Sequence, residues 1–406
     1  MKIGAELGEG EIVKIASDKY IFKIASYTNN PILKPQDIGL VWEEDGKLHT
    51  GAVFNGGAEI FVENSRLKSG EDKIILTPRC HKYYKKGKFF DPNLGIERSY
   101  MENYISEVWV LSSEDGIKFN RFKNVENPVE NPAAGGAASG VVIKGDRSEH
   151  KDFIYGIEDI RIIRHSDYYF LIGCGKIKPP FKGKNADRIA IYTTQDFSNI
   201  KYHGIIDAFD SRNAVFFDNY MLLRFYPNMH LARVEPEQLL NPVEHREYWE
   251  QIYDRREHNL LLKAGIYPHE SEKIGAGTQA IKTDRGWLII YHAVGEIGAD
   301  ICKSYGIKDG IKRSYSVCTA LLDLADPHKV ICRTNLPIYI PSMPYELYGN
   351  EQYPVDIPSV VFPVGAIVYE DKLLIYCGAG DKYTILLSCS TDKLVNYLLE
   401  YCEIQT

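Results

Sequence analysis

The sequence predicts an all-β fold, and the arrangement that it favours is a five-bladed β-propeller with loop and short helical insertions. The composition of 28 Tyr, 33 Gly and 19 Pro in 406 residues favours strands and turns over helices. A unit of two apolar strands recurs five times along the chain. Within each unit the strands are joined by a turn rich in Asp, Asn, Gly, Lys or Ser, which are residues that tight hairpins require.

The repeated unit consists of a first strand that opens on small or polar residues, a turn, and a strongly apolar second strand. The first strands are expected at VFNGGAEIFV (53–62), GIEDIRII (156–163), RNAVFF (212–217), GTQAIKT (277–283) and FPVGAIVY (362–369). The second strands are expected at DKIILTPR (72–79), DYYFLIGCG (167–175), NYMLLRFYP (219–227), GWLIIYHAV (286–294) and DKLLIYCGAG (371–380). Radially arranged antiparallel sheets bury both faces of every sheet, so five units predict five blades. A pair of β-sandwiches is the alternative architecture.

The segments between the repeats supply the outer strands and the insertions. Outer strands are expected at SEVWVLSS (106–113), RIAIYTT (188–194) and SVCTALLD (316–323). Residues 82–104 and 123–152 are expected to be loops, and residues 235–274, with apolar residues at helical intervals, are expected to be a helical insertion. We expect residues 1–406 to form a single catalytic propeller domain that includes these insertions.

Composition and charge exclude several classes of partner. A net charge of −7 without a long basic run argues against nucleic acid or an anionic membrane. The sequence contains no run of ~18 apolar residues, which a transmembrane helix would need. The N-terminal MKIGAELGEGEIVKIAS lacks the apolar core of a signal peptide. We therefore expect a cytoplasmic protein. The eight cysteines lie mostly in apolar runs and no two have CxxC spacing. They predict reduced thiols and no metal site.

The first strand of each blade starts beside the central channel of a propeller, so the side chains at these five positions converge. Four of the five positions are polar, and the fifth is the FPVG turn at 362–365; the polar ones are Asn55, Glu158 with Asp159, Arg212 with Asn213, and Thr278 with Gln279. This pattern predicts a carboxylate-bearing pocket on the axis. Asp159 is the strongest candidate for an acid there, because carboxylates in clusters of charges often have shifted pKa values.

Four motifs follow one another along the chain: VFN (53–55), GIEDIRI (156–162), GAGTQAIKTDRGWLIIYHAV (275–294) and VVFPVGAIVYEDKLLIYCGAGD (360–381). They resemble, in the same order, the VFNP, IEDPRI, GAGPPPI…GWLLIYHGV and VVFP.G…L..YYGAAD motifs of glycoside hydrolase family 130. Residues 321–349 also match the stretch that joins the last two blades in that family. Its members are mannoside phosphorylases and related mannosidases on a five-bladed propeller, and the resemblance extends from about residue 50 to 385.

The resemblance implies that Asp159 is the proton donor and that Arg161 lies beside it. It implies further substrate-binding groups at Asn55, Arg79, His292 and Asp381. In the family the donor is thought to protonate the glycosidic oxygen by way of a sugar hydroxyl, while inorganic phosphate attacks the anomeric carbon with inversion. Phosphate is then a co-substrate, and no cofactor is implied. Glu158 is another substrate-binding candidate, although alternation along a strand would turn it away from Asp159.

The departures from the family pattern concern the phosphate site. By alignment, Arg212-Asn213 and Arg224-Phe225 stand where the family's phosphorylases carry Lys-Asp and His-Arg, and Ser112 stands where they carry an arginine. Cations remain at Arg212 and Arg224, which are the phosphate-binding candidates because a guanidinium grips an oxyanion bidentately.

Three functions are consistent with these residues. The first is an inverting β-mannoside phosphorylase, which converts a β-mannosyl disaccharide or oligosaccharide and phosphate to α-mannose 1-phosphate and a shortened sugar. The second is an inverting β-mannosidase, in which a second carboxylate activates water; nearby candidates are Glu107, Asp210 and Glu296. The third is a non-catalytic sugar-binding propeller, against which Asp159 and Asp381 argue. A sugar and phosphate are the expected partners, and the linkage, the acceptor and a homo-oligomeric state stay open.

Overall fold

The computed structural model describes residues 7–16, 19–62, 72–91, 96–122, 141–143, 153, 155–177 and 187–403. Most of these residues are in antiparallel sheets, five of which we call blades 1 to 5 in chain order. Each blade contacts the next and blade 5 contacts blade 1, so the sheets form a closed ring. The predicted five-bladed β-propeller is therefore confirmed.

The N-terminal strands precede the ring. β1 (Glu11–Ala16) and β2 (Lys19–Lys23) form an antiparallel hairpin. The next strand, β3 (Ala25–Ser26), is short and pairs elsewhere, and β4 (Val41–Glu44) forms a second hairpin with β5 (Lys47–Thr50).

Blade 1 contains the largest departure from the predicted pattern. In chain order its segment comprises β6 (Ala52–Phe61), β7 (Lys73–His81), β8 (Lys85–Asp91), β9 (Ile96–Glu102), β10 (Glu107–Trp109), β11 (Leu111–Ser113), β12 (Asn120–Arg121) and β13 (Val141–Ile143). β8 and β9 pair only with each other, so the loop predicted at 82–104 is wrong. A hairpin satisfies the backbone donors and acceptors that a loop of this length would have to leave to solvent. The loop predicted at 123–152 lies outside the described residues, apart from β13.

Blades 2 and 3 are four-stranded antiparallel sheets that each contain one predicted strand pair. Blade 2 consists of β14 (Ile157–His165), β15 (Tyr168–Lys176), β16 (Asp187–Thr194) and β17 (Ile200–Ile206). Blade 3 consists of β18 (Val215–Phe217), β19 (Tyr220–Phe225), β20 (Asn228–Arg233) and β21 (Leu260–Leu262). Helices α1 (Pro236–Leu240) and α2 (Arg246–Asp254) lie between β20 and β21, inside the segment predicted to be helical, and α2 packs Trp249 and Ile252 into the core.

Blades 4 and 5 complete the ring. Blade 4 comprises β22 (Lys273–Ala276), β23 (Ile281–Lys282), β24 (Trp287–Ile297), β25 (Ile311–Leu322) and β26 (Val330–Arg333), with α3 (Ala299–Ser304) between β24 and β25. Blade 5 comprises β27 (Val361–Tyr369), β28 (Lys372–Ala379) and β29 (Tyr383–Ser390), followed by α4 (Thr391–Tyr401). Two 3₁₀ helices, Pro35–Ile38 and Pro268–Glu270, lie in connections. None of the helices in the described part of the chain is long and apolar enough to span a membrane.

The N-terminal segment closes the ring, because β3 pairs with β29 and becomes the outer strand of blade 5. The side chain of Asn30 extends this pairing. Its Nδ2 donates to the Leu386 carbonyl at 2.9 Å, and its Oδ1 accepts from the Leu386 amide, also at 2.9 Å. The Tyr27 amide also donates to the Leu386 carbonyl at 3.0 Å, so the buried Asn30 side chain adds to the backbone bonds of this segment.

Three blades enter the axis through residues with left-handed backbone. Asn55, Asp159 and Asn213 occupy the same position of the repeat and have φ values of 52°, 53° and 62°. In blades 1 and 2 this residue lies in a bulge, between Phe54 and Gly57 and between Glu158 and Arg161. A bulge re-aims side chains, so polar groups from three blades face the axis.

We predict that Asn30→Ala lowers the free energy of unfolding by about 2 kcal/mol, because both backbone groups of Leu386 lose a buried partner. Asn29→Ala is the control, because Asn29 is the exposed neighbour and bonds only to the Tyr27 hydroxyl. Urea denaturation of both variants measures the difference. Equal stability of the two variants would contradict a role of Asn30 in ring closure.

Candidate active site

A pocket of about 340 Å³ opens on the axis, and all five blades contribute to its wall. Charged side chains dominate the lining. The residues are Phe54, Asn55, Arg79, His81, Tyr84, Met101, Tyr104, Glu158, Asp159, Lys176, Arg212, Asn213, Arg224, Lys273, Arg313, Tyr315, Asp356, Ile357, Val360, Phe362 and Asp381. Of the nine residues predicted as the acid, the substrate-binding groups and the phosphate-binding groups, seven are among them; Arg161 and His292 are not.

Glu158 and Asp159 form a buried pair of carboxylates that shares two arginines. Arg79 donates to Glu158 Oε1 at 3.1 Å and to Asp159 Oδ1 at 3.3 Å. Arg212 Nη2 donates to Glu158 Oε2 at 2.8 Å and to Asp159 Oδ2 at 3.0 Å. Strand alternation predicts that Glu158 faces away from Asp159, and this expectation is wrong. The left-handed backbone of Asp159 breaks the alternation, so both carboxylates line the pocket.

Arg79 is fixed by a histidine that the sequence analysis did not single out. Arg79 Nε donates to His81 Nε2 at 2.8 Å, and His81 Nδ1 lies 2.8 Å from the Ile105 carbonyl. Because Nε2 accepts this hydrogen bond, Nδ1 carries the ring hydrogen and donates a hydrogen bond to the carbonyl. Burial and the Arg79 charge hold the pKa of His81 well below its ordinary value, so the ring stays neutral. His81 is therefore a positioning residue for Arg79.

Asn55 and Arg161 orient Asp159 from two sides. Asn55 Nδ2 donates to Asp159 Oδ1 at 2.9 Å from within the pocket. Arg161 lies behind the wall, where its guanidinium donates to the carbonyls of Asp159, Gly277 and Ala276 at 2.8, 2.9 and 3.1 Å. Those bonds join blades 2 and 4 beneath the acid. Arg161 therefore positions Asp159 through its backbone and does not line the pocket.

His292 is fully buried behind the basic side of the pocket. Its ring packs against Phe362, with centroids 4.4 Å apart, and neither ring nitrogen has a hydrogen-bond partner among the described residues. Burial and the charge of Arg224 lower its pKa well below the ordinary value, which keeps the ring neutral. A Cβ at Gly275 would lie 2.6 Å from His292 and 3.1 Å from Arg224 Cδ, so glycine makes room for both side chains.

Two carboxylates of the pocket have pKa values displaced in opposite directions. Burial alone would raise the pKa of Asp159, but Arg79, Arg212 and Arg161 outweigh burial and hold it well below its ordinary value. Burial raises the pKa of Asp381 to about 7, and the Arg79 charge only partly offsets that effect. In the free protein Asp159 is ionised at neutral pH, whereas Asp381 is protonated in part of the molecules.

A basic group lies on the side of the pocket formed by blades 3 and 4. It consists of Arg224, Lys273 and Arg313, with Tyr315 between the last two: Lys273 Nζ and Arg313 Cζ each lie 5.3 Å from the Tyr315 ring centroid. Burial would raise the pKa of Tyr315, but the two cations outweigh it and lower the pKa. Within the described residues, no carboxylate oxygen lies within 4.0 Å of the Arg224 guanidinium.

Lys273, Arg313 and Tyr315 were not predicted from the sequence because two strands start earlier than expected. The inner strand of blade 4 begins at Lys273, not at 277, and β25 begins at Ile311, not at 316. The signal that could have shown the extension of β25 is the alternation in IKRSYSV (311–317), where Arg313 and Tyr315 are two residues apart. Thr278 and Gln279 were expected at the pocket and do not line it; Gln279 instead bonds to the Ala58 carbonyl of blade 1 at 2.8 Å.

The opposite rim is formed by Asp356, which the sequence analysis also missed. Asp356 accepts a hydrogen bond from the Tyr84 hydroxyl and pairs with Lys86 of β8 at 2.6 Å. Lys382 lies 3.7 Å from the same carboxylate. These contacts attach the β8–β9 hairpin to the pocket mouth, where Met101 of β9 forms part of the wall.

The family model described as beta-1,4-mannooligosaccharide phosphorylase matches residues 141–400, which is more than half of the chain. The chain belongs to glycoside hydrolase family 130. It is therefore a glycoside phosphorylase or a closely related glycoside hydrolase, and the resemblance stated from the motifs is confirmed.

Relatives within family 130 cover nearly the whole chain. The β-1,2-mannobiose phosphorylase of Listeria innocua is 27% identical over 94% of this chain and 99% of its own length. The 1,2-β-oligomannan phosphorylase of a Thermoanaerobacter species is 25% identical over 78% of this chain and 94% of its own length. A solved structure of β-1,2-mannobiose phosphorylase from Listeria innocua, in complex with β-1,2-mannobiose, has a TM-score of 0.61 and 20% identity, covering 92% of this chain and 99% of that chain.

We predict that Asp381→Asn stabilises the free protein, and more so at pH 8 than at pH 5. The folded-state pKa of Asp381, about 7, lies above the ordinary value of 3.8, so the folded state loses stability as pH rises from about 4 to 7. The asparagine carries no charge and avoids a penalty of at most about 4 kcal/mol at pH 8 and less at pH 5.

Thermal unfolding at both pH values, without ligand, measures this effect. Asp284→Asn, at an exposed turn position, is the control for a general change in net charge. A stabilisation of the Asp381 variant that is the same at both pH values would contradict the raised pKa.

Proposed function

We propose that this chain is an inverting phosphorylase of β-mannosides. A β-mannosyl disaccharide or oligosaccharide and inorganic phosphate would give α-mannose 1-phosphate and a sugar shortened by one mannose. β-1,2-Mannobiose is the first substrate to test, because two of the relatives named above act on β-1,2-mannosides. The phosphate group would enter from the basic side of the pocket.

The observation that carries this proposal is the Arg224 guanidinium, which has no carboxylate partner in the described part of the chain although it lines a pocket rich in carboxylates. Arg224 is half-buried, and a cation partly removed from water without a counter-ion is costly unless it binds an anion. Burial and the nearby Arg212 charge lower the pKa of Arg224 to about 10, so the guanidinium stays protonated at neutral pH. It can then grip an oxyanion with two parallel hydrogen bonds.

Lys273, Arg313 and Tyr315 extend the anion site. Both cations also pair with Glu272, at 3.4 Å and 2.6 Å, and that carboxylate does not line the pocket. Glu272 therefore anchors the two side chains without occupying the pocket. Tyr315 supplies a hydroxyl donor at the same place. These groups compensate for the cations that the sequence analysis found missing at positions 112 and 225.

In the proposed reaction, the glycosidic bond breaks as a phosphate oxygen forms a bond to the anomeric carbon from the opposite face. Attack from that face converts the β anomer to the α anomer. Asp159 supplies the proton that the leaving oxygen needs, directly or through a sugar hydroxyl, and regains a proton from the hydrogen phosphate. Asp159 is ionised in the free protein because three arginines surround it. A phosphate dianion beside Arg212 and Arg224 offsets that positive charge and raises the pKa of Asp159 as the substrates bind.

Hydrolysis is the second candidate function, and the lining of the pocket favours a different catalytic base from those named from the sequence. The three carboxylates named from the sequence do not line the pocket: Glu107 bonds to Trp109, Asp210 pairs with Arg188, and Glu296 is exposed. Asp381 does line it, and its pKa of about 7 suits a group that takes a proton from water near neutral pH. In an inverting β-mannosidase, Asp381 would therefore be the base.

We predict phosphate-dependent cleavage of β-1,2-mannobiose, with α-mannose 1-phosphate as the product in a proton NMR time course. β-1,4-Mannobiose and mannosyl-glucose, each with and without phosphate, extend the comparison to other linkages. Release of free mannose at the same rate without phosphate would overturn phosphorolysis and support the Asp381 hydrolase.

Arg224→Gln tests the phosphate site itself. It should raise the KM for phosphate at least about tenfold, because a charged hydrogen-bond donor contributes about 1.5–3 kcal/mol, and should leave the KM for the mannoside within about twofold. Arg233→Gln is the matched control, since Arg233 is exposed and pairs with Glu235. An unchanged KM for phosphate in Arg224→Gln would contradict the assignment of Arg224.

A further inference from the structure

Asn213 presents an unpaired amide to the pocket. The residue is 2% exposed and lines the pocket, and neither its Oδ1 nor its Nδ2 has a hydrogen-bond partner among the described residues. Buried side-chain amides in native proteins are nearly always hydrogen-bonded, so an amide that lacks both bonds requires an explanation. Because the group faces the pocket, a bound ligand can satisfy it.

The two residues that precede Asn213 are already engaged. The Arg212 guanidinium bonds to Glu158 and Asp159. The Ser211 hydroxyl donates to the Arg224 carbonyl at 3.0 Å, and the Ser211 amide donates to the Asp187 carbonyl at 3.2 Å. These bonds hold the chain that leads into Asn213, and β18 begins two residues after it, at Val215. Its side chain is pre-organised and needs no rearrangement to meet a ligand.

Asn213 occupies, in blade 3, the repeat position that Asn55 and Asp159 occupy in blades 1 and 2. It is the third member of the left-handed set with Asn55 and Asp159, and these two bond to each other across the pocket wall at 2.9 Å. All three line the same pocket. The position therefore carries a proton donor candidate in blade 2, a residue that orients it in blade 1, and a free amide in blade 3.

The chemistry of the free amide selects its ligand. Nδ2 only donates and Oδ1 only accepts, and both are unpaired. A hydroxyl group both donates and accepts, so sugar hydroxyls satisfy the two atoms together. A phosphate dianion offers mainly acceptors and would leave Oδ1 facing its oxygens. We propose that Asn213 binds hydroxyl groups of the mannosyl substrate and contributes to sugar recognition, an inference that rests on the proposed function.

A backbone role is the competing explanation, since asparagine adopts left-handed φ values more readily than most residues. Asn213→Gly separates the two, because glycine tolerates a φ of 62° and removes only the amide. Asn219→Gly is the matched control: Asn219 has the same φ of 62° but follows Asp218 in the turn between β18 and β19 and does not line the pocket. Asn213→Asp keeps the shape and the left-handed tolerance, removes the donor and adds a negative charge.

The experiment measures the KM for β-1,2-mannobiose and for phosphate, together with the unfolding temperature, in the wild type and the three variants. We expect Asn213→Gly to raise the mannobiose KM about tenfold, the loss of two neutral hydrogen bonds, with the phosphate KM within about twofold. We expect Asn213→Asp to raise the mannobiose KM as well. Asn219→Gly should change neither constant, and the unfolding temperatures of the two glycine variants should be alike.

Two results would overturn the role of Asn213 and leave the proposed function intact. One is an unchanged mannobiose KM in Asn213→Gly with normal wild-type activity. The other is an equal rise of both KM values together with a lower unfolding temperature than that of Asn219→Gly, which would indicate a structural role. A wild-type protein that acts on none of the mannosides in the linkage panel would instead overturn the proposed function and this inference together.

Discussion

The site depends on charge compensation between two adjacent carboxylates and two arginines from other blades. Glu158 and Asp159 are 2% and 1% exposed, and burying two adjacent carboxylates of one strand is costly unless cations pair with them. Arg79 of blade 1 and Arg212 of blade 3 each bond to both. The four side chains therefore join three blades at the axis and also set the proton affinity of the acid.

That compensation determines what the rest of the pocket can bind. Because Arg79 and Arg212 are engaged by carboxylates, they contribute little free positive charge, and we propose that Arg224 with Lys273 and Arg313 binds the anion. The pocket is thus divided into an acidic part at blades 1 to 3 and a basic part at blades 3 and 4. An inverting transfer to phosphate needs this division, with an acid on one face of the sugar and a held nucleophile on the other.

The sequence was sufficient for the architecture and for the centre of the site, and it was insufficient at the edges. Strand pairs repeated five times predict the blades, and polar residues at the same repeat position predict Asn55, Asp159 and Arg212 at the axis. Side-chain direction at Glu158 depends on a left-handed backbone that a period of two cannot show. Lys273 and Arg313 lie on strand extensions, and Asp356 lies in a connection whose position depends on packing of the whole ring.

We propose that Asp159 supplies the proton for cleavage, and Asp159→Asn tests this role most directly because asparagine keeps the shape and the left-handed backbone. The measurement is the turnover rate on β-1,2-mannobiose with phosphate, together with calorimetric affinity for the sugar. We expect the turnover rate to fall at least about a hundredfold, which is the lower range for the loss of a general acid, while the affinity for the sugar is retained. A turnover rate within about tenfold of the wild type would contradict the role of Asp159 and assign the proton to another group of the pocket.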